Sequence, residues 1–116
     1  MYAVKFTPYG LADVKALPKN VKNGLRKQLA GTLARDPVGC SEELQGPLAE
    51  FRSFHCRQYR VVFRVFPALR AVAIAGVGKH SKSAREDIYR RLEALVRTAS
   101  LADSVLVTLR GLRNAR

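Results

Sequence analysis

The chain has 116 residues and a formal charge of +12, from 21 Lys and Arg against 9 Asp and Glu, and 47% of it is apolar. That is one domain's worth, long enough to bury a core without the disulfide or metal staples that chains below about 70 residues need. The apolar content excludes a disordered basic tail, and the sign of the charge points to an anionic partner: nucleic acid, a membrane surface or an acidic protein.

Tyr2 to Phe6 is a short β-favouring run. Thr7-Pro8 then opens a helix, with Thr as N-cap and Pro in the first turn. Leu11, Val14 and Leu17 are its apolar stripe. Val21, Leu25, Leu29 and Leu33 mark a second helix, which stops before Asp36-Pro37. The two read as an α-hairpin, with Lys15, Lys19, Lys22, Arg26 and Lys27 on its solvated face. Phe51 to Cys56, Tyr59 to Phe66 and Leu69 to Val77 are strand-like. The last is apolar on both faces and reads as a central strand. Ser83 to Val96 is helical, with Ile88, Leu92 and Leu95 on one side. The order β-α-α-β-β-β-α implies an α+β domain, a helical hairpin packed on a small antiparallel-rich sheet. A last amphipathic helix follows, with Leu101, Val105, Leu109 and Leu112 at helical spacing after a capping-box-like Ser100-Leu-Ala-Asp103. Arg110, Arg113 and Arg116 suit its C-terminal dipole. This helix packs on its own domain, meets a partner or second copy, or frays.

The N-terminal Met1-Tyr-Ala-Val-Lys-Phe has no apolar run after a basic start, so no secretory signal is expected. The uncharged run Ala71 to Gly78 is too short to span a bilayer. Cys40 and Cys56 form no CxxC pair and there are two His, which argues against a structural zinc site. A reducing cytoplasm fits such sparse cysteine, with a single disulfide left open. Charge is unevenly spread. Residues 1–35 hold seven Lys/Arg and one Asp, residues 36–50 hold four acids and no base, and residues 51–92 hold ten Lys/Arg against two acids.

Strand alternation sorts the basic residues by face. A tight turn at residue 57 would set His55 opposite Tyr59, Ser53 opposite Val61 and Phe51 opposite Phe63 as a core face. His55 then reads as a core histidine. The other face gathers Arg52, Phe54, Arg60 and Arg64. Guanidinium forks on phosphate and stacks on bases, and an aromatic is a stacking platform, so this face suits nucleic acid. A merely solvated basic face fits equally well. Beyond the central strand, Gly76-Val-Gly-Lys-His80-Ser-Lys82 adds Lys79, Lys82 and an imidazole, a group that ordinarily titrates near neutrality. Tyr89 lies on the helix that follows, and could face the sheet or stand as a core-edge aromatic.

Phe6-Thr-Pro-Tyr-Gly10, Leu17-Pro-Lys19, Asp36-Pro37, Leu44-Gln-Gly46, the segment Arg52 to Val65, Gly76-Val-Gly-Lys-His80 and Asp87-Ile-Tyr89 occur in an order and spacing that resembles the RelE/ParE superfamily of type II toxin–antitoxin toxins. The resemblance covers residues 2–92 as a toxin domain and leaves 93–116 as a helical extension or partly ordered tail. It implies a cognate acidic antitoxin and no cofactor or metal. For RelE-like members it implies ribosome-dependent mRNA cleavage, in which the ribose 2′-OH attacks phosphorus and leaves a 2′,3′-cyclic phosphate and a 5′-OH. ParE-like members instead inhibit DNA gyrase without cutting. By position, Arg52, Arg60, His80 and Tyr89 would carry catalysis, with Arg52, Phe54, Arg64, Lys79 and Lys82 on the nucleic acid. Phe54 and His80 stand where ribonucleolytic members carry Lys or Arg, and Ser81 to Ala84 lengthen the step to Tyr89. These departures keep gyrase inhibition, and a binding module with lost toxicity, in view.

Overall fold

A computed structural model describes residues 1–83 and 87–114. Its elements are β1 (Ala3–Phe6), α1 (Pro8–Lys15), α2 (Lys19–Gln28), β2 (Glu42–Glu43), β3 (Arg52–Cys56), β4 (Tyr59–Phe66), β5 (Ala71–Lys79), α3 (Ile88–Arg97) and α4 (Ser100–Asn114). The sheet runs β1-β5-β4-β3-β2. Only the β1–β5 pair is parallel. The expected α+β order holds, and the acidic segment adds β2 as an edge strand.

Thr7 caps α1 as its sequence position suggests, accepting from Gly10 N–H at 3.1 Å. The same residue ties α1 to the sheet. Thr7 N–H and Oγ1 both donate to Ile74 O, at 2.9 and 3.0 Å. β1 pairs only with residues 71–74 of β5, so α1 lies along the rest of that edge. Asp13 accepts from Val77 N–H at 2.9 Å there and fills the place of a missing strand.

Two apolar layers sandwich the sheet. Val14, Leu25, Leu29 and Leu33 pack on Phe54, Val61, Phe63 and Ile74. Ile88, Leu92, Leu101 and Val105 pack on Phe51, Val62, Ala73 and Ala75 on the other face. α3 therefore runs without a break across residues 92 and 93, and α4 buries Leu101 and Val105 in the second layer.

Three expectations are corrected. The β3–β4 turn contains two residues, Arg57 and Gln58, with Arg57 at φ 57°. Cys56, not His55, is thus opposite Tyr59, and Phe54 is opposite Val61. A slip of one residue exchanges the two faces of a strand. Secondly, α3 begins at Ile88, after the N-cap Asp87, whose side chain accepts from Arg90 N–H, rather than at Ser83. Thirdly, Ser100 is already helical, following Ala99 at φ 61°, and its hydroxyl meets Thr98 Oγ1 at 2.8 Å instead of capping. The side chains of Leu112, Arg113 and Arg116, and Ala84, lie outside the described residues.

Candidate active site

Asp87 is the structural origin of the site. As N-cap of α3 it is 2% exposed, and its carboxylate accepts from Arg90 N–H at 3.0 Å and from Ser81 N–H at 2.8 Å. The same Oδ1 lies 2.5 Å from His80 Nδ1. Burial alone would raise the Asp87 pKa, but the two N–H donors and His80 outweigh it and hold the carboxyl below its ordinary value. An ionised carboxylate only accepts, so His80 Nδ1 must donate. Neutral His80 then carries its lone pair on Nε2, on a side chain that is 61% exposed. A buried carboxylate thus fixes the tautomer and aim of a solvent-facing imidazole.

Tyr89 packs its ring edge against His80, with centroids 5.1 Å apart. Its hydroxyl reaches Ser53 Oγ on β3 at 2.8 Å. Since Ile88 of the same turn stands at Gly78 of β5, this turn of α3 spans the sheet from β5 to β3. Arg60 lies on β4 between them, opposite Gly78 on one side and His55 on the other. Its Nη1 donates only to the Arg57 and Tyr59 carbonyls, at 3.4 and 3.3 Å. Among the described residues Arg60 has no carboxylate partner, which leaves its charge available to an anion.

The other expected residues do not converge here. Arg52 and Phe54 project to the helical-hairpin face, the reverse of the expected arrangement. Phe54 is 6% exposed within the first layer and offers no stacking surface. Arg52 is occupied with the acidic segment. It donates to Ser41 Oγ at 2.7 Å, Ser41 O at 3.1 Å and Val38 O at 3.2 Å, and pairs with Glu43 at 3.4 Å. Arg64 shares the Arg60 face but stands four residues along β4, about 13 Å away at strand rise. There it pairs with Glu50 at 3.4 Å and lies over Phe66 at 4.9 Å. Lys79 leans over Tyr59 at 5.6 Å on the opposite face, and Lys82 is exposed on the loop. His80 does pack on Tyr89, and Arg60 stands across from Gly78, two residues before His80.

Sequence reasoning missed Asp87, Ser53 and a clamp behind the site. Arg91 donates to both oxygens of Asp13, at 2.8 and 3.0 Å, locking α3 to α1 around the edge of β5. A signal existed for Asp87, an N-cap residue type directly before the apolar Ile88. Asp13 had one too, as the sole acid among residues 1–35. Both cysteines are free. Burial, with Asp36 nearby, pushes the Cys40 thiol up and keeps it protonated.

The sequence matches no protein-family model. No curated protein matches it either. Solved structures do match. A chain of the RelBE2 toxin–antitoxin complex of Mycobacterium tuberculosis superposes with TM-score 0.65 at 27% identity, covering 67% of this chain and 96% of that one. The isolated RelE toxin of Escherichia coli gives 0.59 at 24% identity, covering 84% and 99%. The YoeB/ParE toxin of Agrobacterium tumefaciens gives 0.56 at 19%, covering 68% and 99%. Almost the whole of each of those chains is therefore accounted for by the sheet and helices described above, and the fold of this chain is that of the RelE/ParE superfamily of toxins.

Proposed function

We propose that the chain is the toxin of a type II toxin–antitoxin system and that it cleaves mRNA on the ribosome. The observation that carries this reading is the Asp87-oriented His80 two residues beyond Gly78, the β5 partner of Arg60, which has no carboxylate partner among the described residues. Cleavage by an internal 2′-OH needs a base, a cation for the charge that develops on phosphorus, and a proton for the leaving oxygen. His80 Nε2 would take the 2′-OH proton. Arg60 would hold the scissile phosphate, and Tyr89, fixed through Ser53, would align the nucleotide beside His80. The similar structures include toxin–antitoxin complexes, which supports an antitoxin as partner. An excess of twelve positive charges suits an acidic one.

Primer extension on mRNA after brief induction tests the reading. Codon-positioned cuts are expected, and Arg60→Ala should abolish them with the fold intact. Growth arrest without cuts would sink it. One observation favours gyrase inhibition as the second reading: Arg52 of β3 is absent from the Arg60 face, which lowers the cationic charge available for RNA. Loss of DNA supercoiling activity at micromolar toxin would then be seen in place of cuts.

A further inference from the structure

Helix α4 carries a pattern on its outer side that its own domain does not use. Leu101 and Val105 are buried against the second layer. At about 100° per residue, Asp103, Leu106, Val107 and Arg110 fall on the opposite side of the helix. All four are exposed, Leu106 at 49% and Val107 at 57%. Among the described residues, these two are the only exposed large apolar side chains that adjoin in sequence. Ala102 and Gly111 flank the stripe and are exposed as well. A Cβ on Gly111 would meet open space, so the packing of this chain does not call for a glycine that costs a helix about 1 kcal/mol. Neither Asp103 nor Arg110 makes an ion pair among the described residues. The helix dipole favours an acid near the start of α4 and a base toward its end, but gives no reason for the apolar pair between them.

Read from residue 102 to 111, the outer side runs small, acidic, apolar, apolar, basic, small. Reversed, it is the same pattern with the charges exchanged. We infer that this face of α4 binds α4 of a second copy of the chain, antiparallel about a two-fold axis between Leu106 and Val107. A two-fold interface sets residue i against j and j against i. Asp103 of each copy then meets Arg110 of the other, and Leu106 meets Val107 across the axis. Ala102 meets Gly111, where the lack of bulk lets the two backbones approach. Asp103 and Arg110 are seven residues apart, about 10 Å along the helix, so both charge pairs form together. The antiparallel arrangement also lays each helix N-terminus beside the C-terminal end of the other dipole. A parallel pair would instead set Asp103 against Asp103 and Arg110 against Arg110. An acidic partner would gain at Arg110 and lose at Asp103, so the face fits a second copy better. A contact between two helices of 15 residues falls below the roughly 1,200 Å² of a stable interface, and the +12 charge of each chain opposes it. The dimer is therefore weak and reversible, and it forms whether or not the chain cuts RNA.

The test is sedimentation equilibrium of the full chain at physiological salt, from about 1 μM to about 1 mM, the range of weak contacts. Wild type should pass from monomer to dimer within it. Asp103→Arg and Arg110→Asp each set like charges together at both ends of the contact, and each should weaken the dimer at least about 10-fold. Arg110→Asp also lowers the net charge of the chain, so general repulsion alone would strengthen its dimer, whereas the pairing requires a weaker one. Mixed in equal amounts, the two variants place opposite charges together at both ends, and a mixed dimer should form about as tightly as wild type. Recovery in the mixture shows that neither single change has unfolded α4. A wild-type chain that stays monomeric to the top of the range overturns the inference and leaves the face to a partner of different sequence. A dimer that ignores the single substitutions, or variants that fail to associate when mixed, overturns the antiparallel pairing of α4 and the inference with it.

Discussion

Two glycines in the helical hairpin should respond to the same substitution with opposite signs. Gly10 sits where α1 meets the edge of β5, and a Cβ there would fall well inside 3.0 Å of the Ile74 carbonyl oxygen. The obstacle is backbone, so no rotamer change relieves it. Either α1 or β5 must move, and the Thr7 N–H and Oγ1 bonds to that same oxygen weaken. Gly24 of α2 has nothing within 4 Å of its would-be Cβ. Alanine is worth about 0.8–1 kcal/mol over glycine inside a helix. Gly24→Ala should show most of that gain. At Gly10 the same gain is set against about 1–3 kcal/mol of overpacking and about 1 kcal/mol for each of the two weakened hydrogen bonds, a net loss of about 2–4 kcal/mol. At about 4 °C per kcal/mol for a chain of this size, Tm should rise by about 3 °C in Gly24→Ala and fall by about 8–16 °C in Gly10→Ala. Thermal unfolding followed by far-UV circular dichroism measures both. A Gly10→Ala protein as stable as wild type would refute the edge-on packing of α1 against β5.

Two further substitutions probe the site and its surroundings. Arg52→Ala should remove the anchor of residues 38–43 and lower stability by about 1–3 kcal/mol, because the part-buried acceptors Ser41 Oγ and Ser41 O lose their donor. Below its Tm that variant should cut mRNA at the wild-type rate, and a folded but inactive Arg52→Ala would return Arg52 to the catalytic set. Asp87→Asn tests linkage: a carboxyl held below its ordinary value of 3.8 adds stability above that pH, and this is lost as pH falls through the lower folded value. Wild type should therefore exceed Asp87→Asn in urea midpoint at pH 7, with the gap closing at pH 3. A constant gap would show that the charge of Asp87 contributes nothing to stability.

The element order was readable because the apolar spacing changes period cleanly, from Leu25, Leu29 and Leu33 to the strands at residues 59–66. Thr7-Pro8 announced α1 by capping chemistry alone. The faces of β3 were not readable. Their assignment depends on the number of residues in one turn, and that turn uses Arg57 in a left-handed conformation where glycine or asparagine would have signalled it. One residue of register moved Arg52 and Phe54 to the hairpin face and set Ser53 and His55 on the Arg60 face. The partnership of Asp87 and His80 lay beyond reach for a different reason. It joins a helix N-cap to a loop across seven positions, and no periodicity links them.

The treatment of the sheet's two borders bears on how the chain behaves in a crowded cell. At one border, Thr7 and Asp13 occupy the hydrogen-bonding groups of β5 that β1 leaves open. The opposite border ends in a strand of two residues, and both are glutamate. Neither side offers a long run of unpaired backbone for another strand to join. The chain should therefore resist edge-to-edge aggregation at high concentration, and a partner gains its grip from side chains and charge instead of by extending the sheet at these borders.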